Sequence, residues 1–181
     1  AGGGTAGHVE PALAVARQWM KEHPESTCTF LGTSHGLETI LIPAAKFELS
    51  LIRKVAVPRR PSLDLLKLPI SLIGSVVDCA KVIRTADIVV GFGGYVSAPA
   101  YIAAALLRKP LVIHEANAKP GWANKLGAAF TKNTAVAMPV ESGKLADALI
   151  AGLPLRADVA TSFEAASADW KKAREAAKRA L

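Results

Sequence analysis

The stretch Ile88-Val89-Val90-Gly91-Phe92-Gly93-Gly94-Tyr95-Val96-Ser97-Ala98-Pro99 decides the fold. Its apolar start reads as a short buried strand and its glycines as a tight loop. Ser97 reads as a helix cap and Pro99 as a first-turn residue of a helix reaching Leu107. The uncharged run from Ile88 to Leu107 is about long enough to cross a bilayer. Gly91, Gly93, Gly94 and Pro99 near its centre make strand, loop and helix the better reading.

The same unit recurs on both sides. Upstream, a first glycine loop precedes a helix in which Pro11 suits the first turn and Leu13, Ala16 and Met20, with Trp19 beside them, form an apolar face ended by His23-Pro24. Thr27 to Leu31 reads as a strand, Gly36 to Ala45 as a short helix interrupted by Pro43, and Phe47 to Val57 as strand and loop. Pro58 to Pro61 is a basic turn. Ser71 to Arg84 is an amphipathic helix with Leu72, Val76, Ala80 and Ile83 on one stripe. Downstream, Leu111 to Ile113 is a strand, a helix runs from Gly121 to Phe130, and Thr134 to Ala137 and Ala148 to Ala151 are short strands. Strands alternate with helices and are continuous apolar runs, which is the pattern of a parallel sheet covered on both faces. The expected class is therefore α/β, a Rossmann-like doubly wound parallel sheet.

Composition supports one ordinary domain. Of the 181 residues, 51% are hydrophobic and 20% charged, enough apolar surface for a real core and too little charge for disorder. Cys28, in the expected strand, and Cys79, in the expected helix, lack metal-like spacing and read as small core residues. The net charge of +7 fits an anionic partner: nucleic acid, a phosphate-bearing substrate or an anionic membrane. Aromatic-basic interleaving and groove-reading motifs are missing, which excludes nucleic acid from the expected partners. A glycine loop of this kind normally follows a strand, and none precedes Gly2. With the charged helical run Ala168 to Leu181 at the other end, both ends read as cut.

In such a sheet, ligands sit outside the carboxyl ends of the strands, and the sequence places three loops there. In Gly2-Gly3-Gly4-Thr5-Ala6-Gly7-His8-Val9-Glu10-Pro11, glycines admit a phosphate to the backbone and the following helix points its N-terminus at the anion. Gly2, Gly4 and Gly7 have the G-x-G-x-x-G spacing, a weak signal alone. A dinucleotide enzyme also needs an acid after the second strand; that position reads Gly32-Thr33-Ser34, with Glu38 the nearest acid, which argues against a nicotinamide cofactor. An imidazole at His8, beside such a loop, is a candidate general base, against the alternative of a histidine that only hydrogen-bonds the loop. The loop at Gly93 and Gly94 implies a second phosphate, or one diphosphate gripped from two sides; tight packing of strand on helix is the alternative. In the third loop, His114-Glu115-Ala116-Asn117-Ala118-Lys119-Pro120-Gly121, a carboxylate and a carboxamide suit sugar hydroxyls, while His114 reads as a satisfied, partly buried residue.

Gly3-Gly4-Thr5-Ala6-Gly7-His8 with Pro11, Gly93-Gly94-Tyr95-Val96-Ser97, His114-Glu115-Ala116-Asn117 and Gly152-Leu153-Pro154-Leu155-Arg156 together resemble the signature of the MurG family, the bacterial transferases that complete lipid II in peptidoglycan synthesis. The likeness runs from Gly2 to Arg156. It implies a GT-B arrangement of two Rossmann-like domains facing a cleft. Residues 1–156 would form the acceptor-binding domain, without its first strand, and 157–181 a helical linker towards an absent donor-binding domain. It implies an inverting, metal-independent displacement with no cofactor, between UDP-N-acetylglucosamine and lipid I, the undecaprenyl-diphosphate-linked muramoyl pentapeptide. His8 would be the base. Thr5, Ala6, Gly7, Asn117 and Arg156 would meet the donor. Gly4, Gly93, Gly94, Tyr95, Ser97 and Glu115 would meet the acceptor and its diphosphate. This half alone is expected to have little or no activity. The remaining alternatives are a related transferase with another lipid or small-molecule acceptor, a non-catalytic nucleotide-binding module and a dinucleotide-dependent oxidoreductase domain, the last disfavoured by the missing ribose acid.

A polyprenyl acceptor implies work at the cytoplasmic face of the cell membrane, as a peripheral protein. Arg53-Lys54, Arg59-Arg60 and Lys67, with Leu63, Leu65, Leu66, Leu68, Ile70, Leu72 and Ile73, mix basic and apolar residues as an interfacial helix on an anionic leaflet does. The same apolar stripe also suits packing on the sheet, and one helix can do both with different faces.

Overall fold

A computed structural model describes residues 1–55 and 68–180. The expected basic turn Pro58 to Pro61, and Arg59, Arg60, Leu63, Leu65, Leu66 and Lys67, lie outside the described residues.

The element order is α1 (Ala6–Glu22), β1 (Thr29–Gly32), α2 (Glu38–Ala44), β2 (Glu48–Leu51), α3 (Leu68–Ile83), β3 (Val89–Gly91), α4 (Ser97–Leu106), β4 (Leu111–Glu115), α5 (Trp122–Gly127), β5 (Thr134–Val136), β6 (Leu149–Ile150), α6 (Ala157–Ala168) and α7 (Trp170–Ala180). All strand pairs are parallel. β1 pairs with β2, and β3, β4, β5 and β6 lie side by side in that order. Ala1 runs along the free edge of β3: the Phe92 N–H donates to Ala1 O at 2.8 Å, and the Ala1 amino group donates to Val90 O.

Apolar clusters cover both faces of the strands, as continuous apolar strands require. One joins Val9, Leu13 and Ala16 of α1 to Phe30, Ile42 and Phe92. The other joins Cys79 and Ile83 of α3 to Val89, Leu111, Ile113 and the inner side of α4. Each fully buried Leu, Ile or Val contributes roughly 1.5–3 kcal/mol. The alanines of α4 let it approach its neighbours closely, and Ala100, Ala103 and Ala104 are fully buried. Tyr101 of α4 fills a slot between Gly91 and Gly127, where an added Cβ would collide with its ring. Cys79 is fully buried, and burial pushes its thiol up to about 12.

Several local expectations need correction. α1 starts at Ala6, so Pro11 is an interior residue rather than a first-turn one. Proline has no N–H to donate to the carbonyl four residues back, so the usual bond to Gly7 O is missing. The buried face of α1 is Val9, Pro11, Ala12, Leu13 and Ala16; Met20 is partly exposed and Trp19 is exposed, packed on the His23 ring. α3 buries Ser75, Cys79 and Ile83 most deeply, while Val76 and Ala80 of the expected stripe pack partly buried against the same core. Its first residues leave Ile70 and Ile73 74% and 64% exposed. Cys28 lies just before β1, partly buried. Ser97 is not a cap: Val96 holds that position and makes no side-chain cap bond. α6 buries none of its residues.

Candidate functional site

The three loops meet at the carboxyl edge of the strands. Gly4, Gly93 and Gly94 have φ of 92°, 87° and 82°, a left-handed conformation that costs other residues about 1–2 kcal/mol each. They also lie against neighbours. A Cβ on Gly4 would stand 2.6 Å from Cε1 of Tyr95, and one on Gly94 would collide with Gly3 O. The two glycine loops are therefore packed directly on one another.

His8 sits in that junction. Its Nδ1 lies 2.9 Å from Thr5 Oγ1, and its ring flanks Gly93 and Gly94 closely enough that an added Cβ would meet it at 3.2–3.3 Å. Burial lowers its pKa from the usual 6.5, against a smaller upward influence from Glu115, so the imidazole is neutral at pH 7. Thr5, Ala6 and Gly7 are exposed. Ala6 and Gly7 begin α1, where backbone N–H groups have no intrahelical acceptor and the helix dipole favours an anion.

Ser97 is fully buried, its Oγ 2.7 Å from Gly93 O and 3.0 Å from Ala1 O. It ties the second glycine loop to the start of the first. Tyr95 lies over Gly4, with its hydroxyl 3.0 Å from Thr33 Oγ1 and donating to Glu38 at 3.3 Å.

Glu115, buried at the end of β4, accepts from the backbone and side-chain nitrogens of Asn117 at 2.9 and 2.8 Å, from Gly121 N at 2.9 Å and from Asn124 Nδ2 at 3.0 Å. It shapes the third loop and leaves Asn117 exposed at its tip. Asn124 in turn donates to His114 O and accepts from the Tyr101 hydroxyl at 2.7 Å. Burial raises the Tyr101 pKa and keeps that hydroxyl a donor. His114 is buried, as expected, but only half satisfied. Its Nε2 donates to Gly152 O at 2.8 Å, while Nδ1 has no partner. That bond fastens the Gly152–Arg156 segment to the end of β4. Arg156 itself is exposed and paired with Asp158 at 3.1 Å; the structure gives it no bond to the other candidate residues.

The largest omission of the sequence reading is Glu38, considered only as a ribose acid. It is fully buried and turned inward. It accepts from Gly4 N at 2.9 Å, from Thr33 N at 3.0 Å and from Tyr95; Thr33 Oγ1 stands 3.3 Å away and can donate its one proton to Tyr95 instead. Burial alone would raise its pKa; the N–H groups of Gly4, Thr33 and its own backbone, with the Tyr95 hydroxyl, outweigh that and hold it below the ordinary value. Asn124 was also missed. Among the described residues, no three His, Cys, Asp or Glu side chains form a metal-binding cluster.

The chain is a parallel α/β domain that brings glycine loops, a helix N-terminus and an imidazole together at one sheet edge, where folds of this class take their ligands. Residues 1–136 match the glycosyltransferase family 28 N-terminal domain, and the chain belongs to that family. It is 48% identical over 171 residues to the UDP-N-acetylglucosamine--N-acetylmuramyl-(pentapeptide) pyrophosphoryl-undecaprenol N-acetylglucosamine transferase of Rhodococcus erythropolis, covering 88% of this chain and 44% of that protein. It is 47% identical over 169 residues to the enzyme of the same name from Streptomyces coelicolor, covering 92% of this chain and 46% of that one. The crystal structure of Acinetobacter baumannii MurG superposes with a TM-score of 0.66 at 31% identity, over 76% of this chain and 40% of that one. The chain thus spans less than half the length of these relatives.

Proposed function

We propose that this chain is the acceptor-binding half of a transferase that moves N-acetylglucosamine from UDP-N-acetylglucosamine to lipid I. The observation that carries the reading is the His8 imidazole, uncharged and oriented by Thr5, held in the junction of two glycine loops. With Nδ1–H donating to Thr5 Oγ1, Nε2 keeps its lone pair. Nε2 takes the proton of the acceptor hydroxyl as its oxygen attacks the anomeric carbon of the donor sugar. The bond to the UDP oxygen breaks, the electron pair leaves with UDP, and the configuration inverts. No metal or cofactor enters this step. The glycine loops and Tyr95 face the acceptor diphosphate. Thr5, Ala6, Gly7, Asn117 and Arg156 meet the donor, whose remaining contacts come from a second domain beyond residues 157–181. The 48% identity to a relative named for this reaction supports the choice of substrates.

The first stretch of α3 supports a membrane-facing role. Ile70, Ile73 and Val77 are exposed along one side of the helix, and Lys81 and Arg84 continue that side. Such a ridge suits peripheral attachment to an anionic leaflet at the cytoplasmic face. No described helix is long and apolar enough to cross a membrane.

The test is turnover by the complete protein with UDP-N-acetylglucosamine and lipid I. Lipid II is the expected product, and turnover only with another acceptor would replace this reading by that of a related transferase. For the membrane surface, binding to anionic liposomes is expected to weaken with salt. Equal binding to neutral vesicles, or none to either, would reject it.

A further inference from the structure

We propose that Glu38 is a positioning residue that sets the spacing of the two glycine loops for the acceptor diphosphate. The idea rests on the transferase reading above for its ligand, but its structural basis is separate. The carboxylate divides its oxygens between the loops. Oε2 accepts from Gly4 N at 2.9 Å, in the first loop. Oε1 accepts from Tyr95, in the second loop, at 3.3 Å, and from Thr33 N at 3.0 Å. Thr33 Oγ1 stands 3.0 Å from the Tyr95 hydroxyl and 3.3 Å from Oε1, so the three oxygens form a triangle. One side chain thereby joins segments 34 and 57 residues away from it in sequence.

The surroundings are shaped for this carboxylate. An added Cβ on Gly3 would meet Oε1 at 3.0 Å, one on Gly32 would meet Cγ at 2.6 Å, and one on Gly36 would collide with the carboxylate. Glycines that read as phosphate-binding in sequence therefore include one, Gly3, whose lack of a side chain makes room for Glu38 and for Val96 of the second loop. Burying an ionised carboxylate is strongly unfavourable unless its oxygens are hydrogen-bonded. Thr33 N stays with Oε1 in any case, but Gly4 and Tyr95 come from different loops, so parting the loops takes at least one donor from the buried charge. Glu38 has 0% exposure and touches no substrate; it acts through Gly4 and Tyr95.

The experiment uses the complete protein with Glu38→Gln, which keeps the shape but turns an NH2 group towards backbone N–H donors. Acceptor KM is expected to rise about tenfold and donor KM by less, because both loops meet the acceptor whereas only the first, through Thr5, Ala6 and Gly7, meets the donor. Amide hydrogen exchange is expected to accelerate in both 1–8 and 93–97, a readout independent of turnover. Exchange rising in one loop only or in neither, or an unchanged acceptor KM, overturns the role of Glu38. If wild type turns over no lipid I, the transferase reading fails and the exchange result alone decides Glu38. If Glu38→Gln does not fold, Thr33→Val removes one hydroxyl of the same cluster, and exchange there must rise in the second loop for the proposal to stand.

Discussion

Oγ1 of Thr5 stands 2.9 Å from Nδ1 of His8, three residues on in the first turn of α1. Thr5 occupies the cap position yet makes no side-chain bond to the helix backbone. Its hydroxyl serves the imidazole instead, which leaves the exposed N–H groups of Ala6 and Gly7 for a ligand. One residue thus orients the imidazole proposed as the base and leaves the helix end uncapped.

Two substitutions in the complete protein separate these roles. His8→Ala is expected to lower kcat by about two orders of magnitude or more, the usual contribution of a general base, with donor affinity nearly intact. Thr5→Val keeps the shape and removes the hydroxyl that orients Nδ1, so kcat is expected to fall about tenfold. Steady-state kinetics with both substrates varied is the check. Near-normal turnover in His8→Ala rejects His8 as the base.

The pH dependence follows from the burial of His8. Its pKa lies below 6.5, so the free base persists below the pH at which an exposed histidine is half protonated. The acid limb of kcat/KM is expected below pH 6.5, and His8→Ala should abolish it. Stability carries the same sign. Between the folded pKa and 6.5 the unfolded chain binds more protons, so stability falls as pH drops through that window. A limb at or above 6.5 would contradict the buried, uncharged imidazole.

The sequence made the fold class and the edge chemistry legible because both are written locally. Continuous apolar strands, intervening helices and glycines at strand ends need only neighbouring residues. What stayed hidden depends on distant partners. Glu38 was visible as an acid near the end of β1, but its donors Gly4 and Tyr95 become neighbours only in the folded chain. Asn124 sits in α5 without any signal, and its carboxamide joins Tyr101 to Glu115 across 23 and 9 residues. The start of α1 was misplaced for a related reason. Pro11 reads as a helix start, and Gly7 is a poor helix former. The Thr5 carbonyl nevertheless accepts from the N–H groups of His8 and Val9, and the helix begins at Ala6.

Gly94 gives a test of how closely the glycine loops are packed. Gly94→Ala meets two penalties: φ of 82° and a collision of the new Cβ with Gly3 O. Gly143→Ala meets only the first, since its φ is 88° and nothing lies within 4 Å of the added atom. Gly143→Ala is expected to cost about 1–2 kcal/mol, and Gly94→Ala distinctly more. Thermal melts should show the difference as a drop for Gly94→Ala larger by roughly 2–4 °C per additional kcal/mol. Equal melting temperatures would mean that the loops part easily.

Gly7 separates ligand binding from folding in the opposite sense. It lies in the first turn of α1, its φ is not positive, and an added Cβ would meet only Thr5 Oγ1, at 3.8 Å. Nothing in the chain requires a glycine there. Alanine is the better helix former, so Gly7→Ala is expected to stabilise the fold by about 0.5–1 kcal/mol. The added methyl would stand on the exposed helix end beside the Gly7 N–H and narrow the room for a phosphate there. Donor KM in the complete protein is therefore expected to rise about tenfold while the melting temperature rises. Denaturant unfolding and donor titration on one preparation read both effects. A Gly7→Ala protein that is more stable and binds donor as well as wild type would remove Gly7 from the donor site.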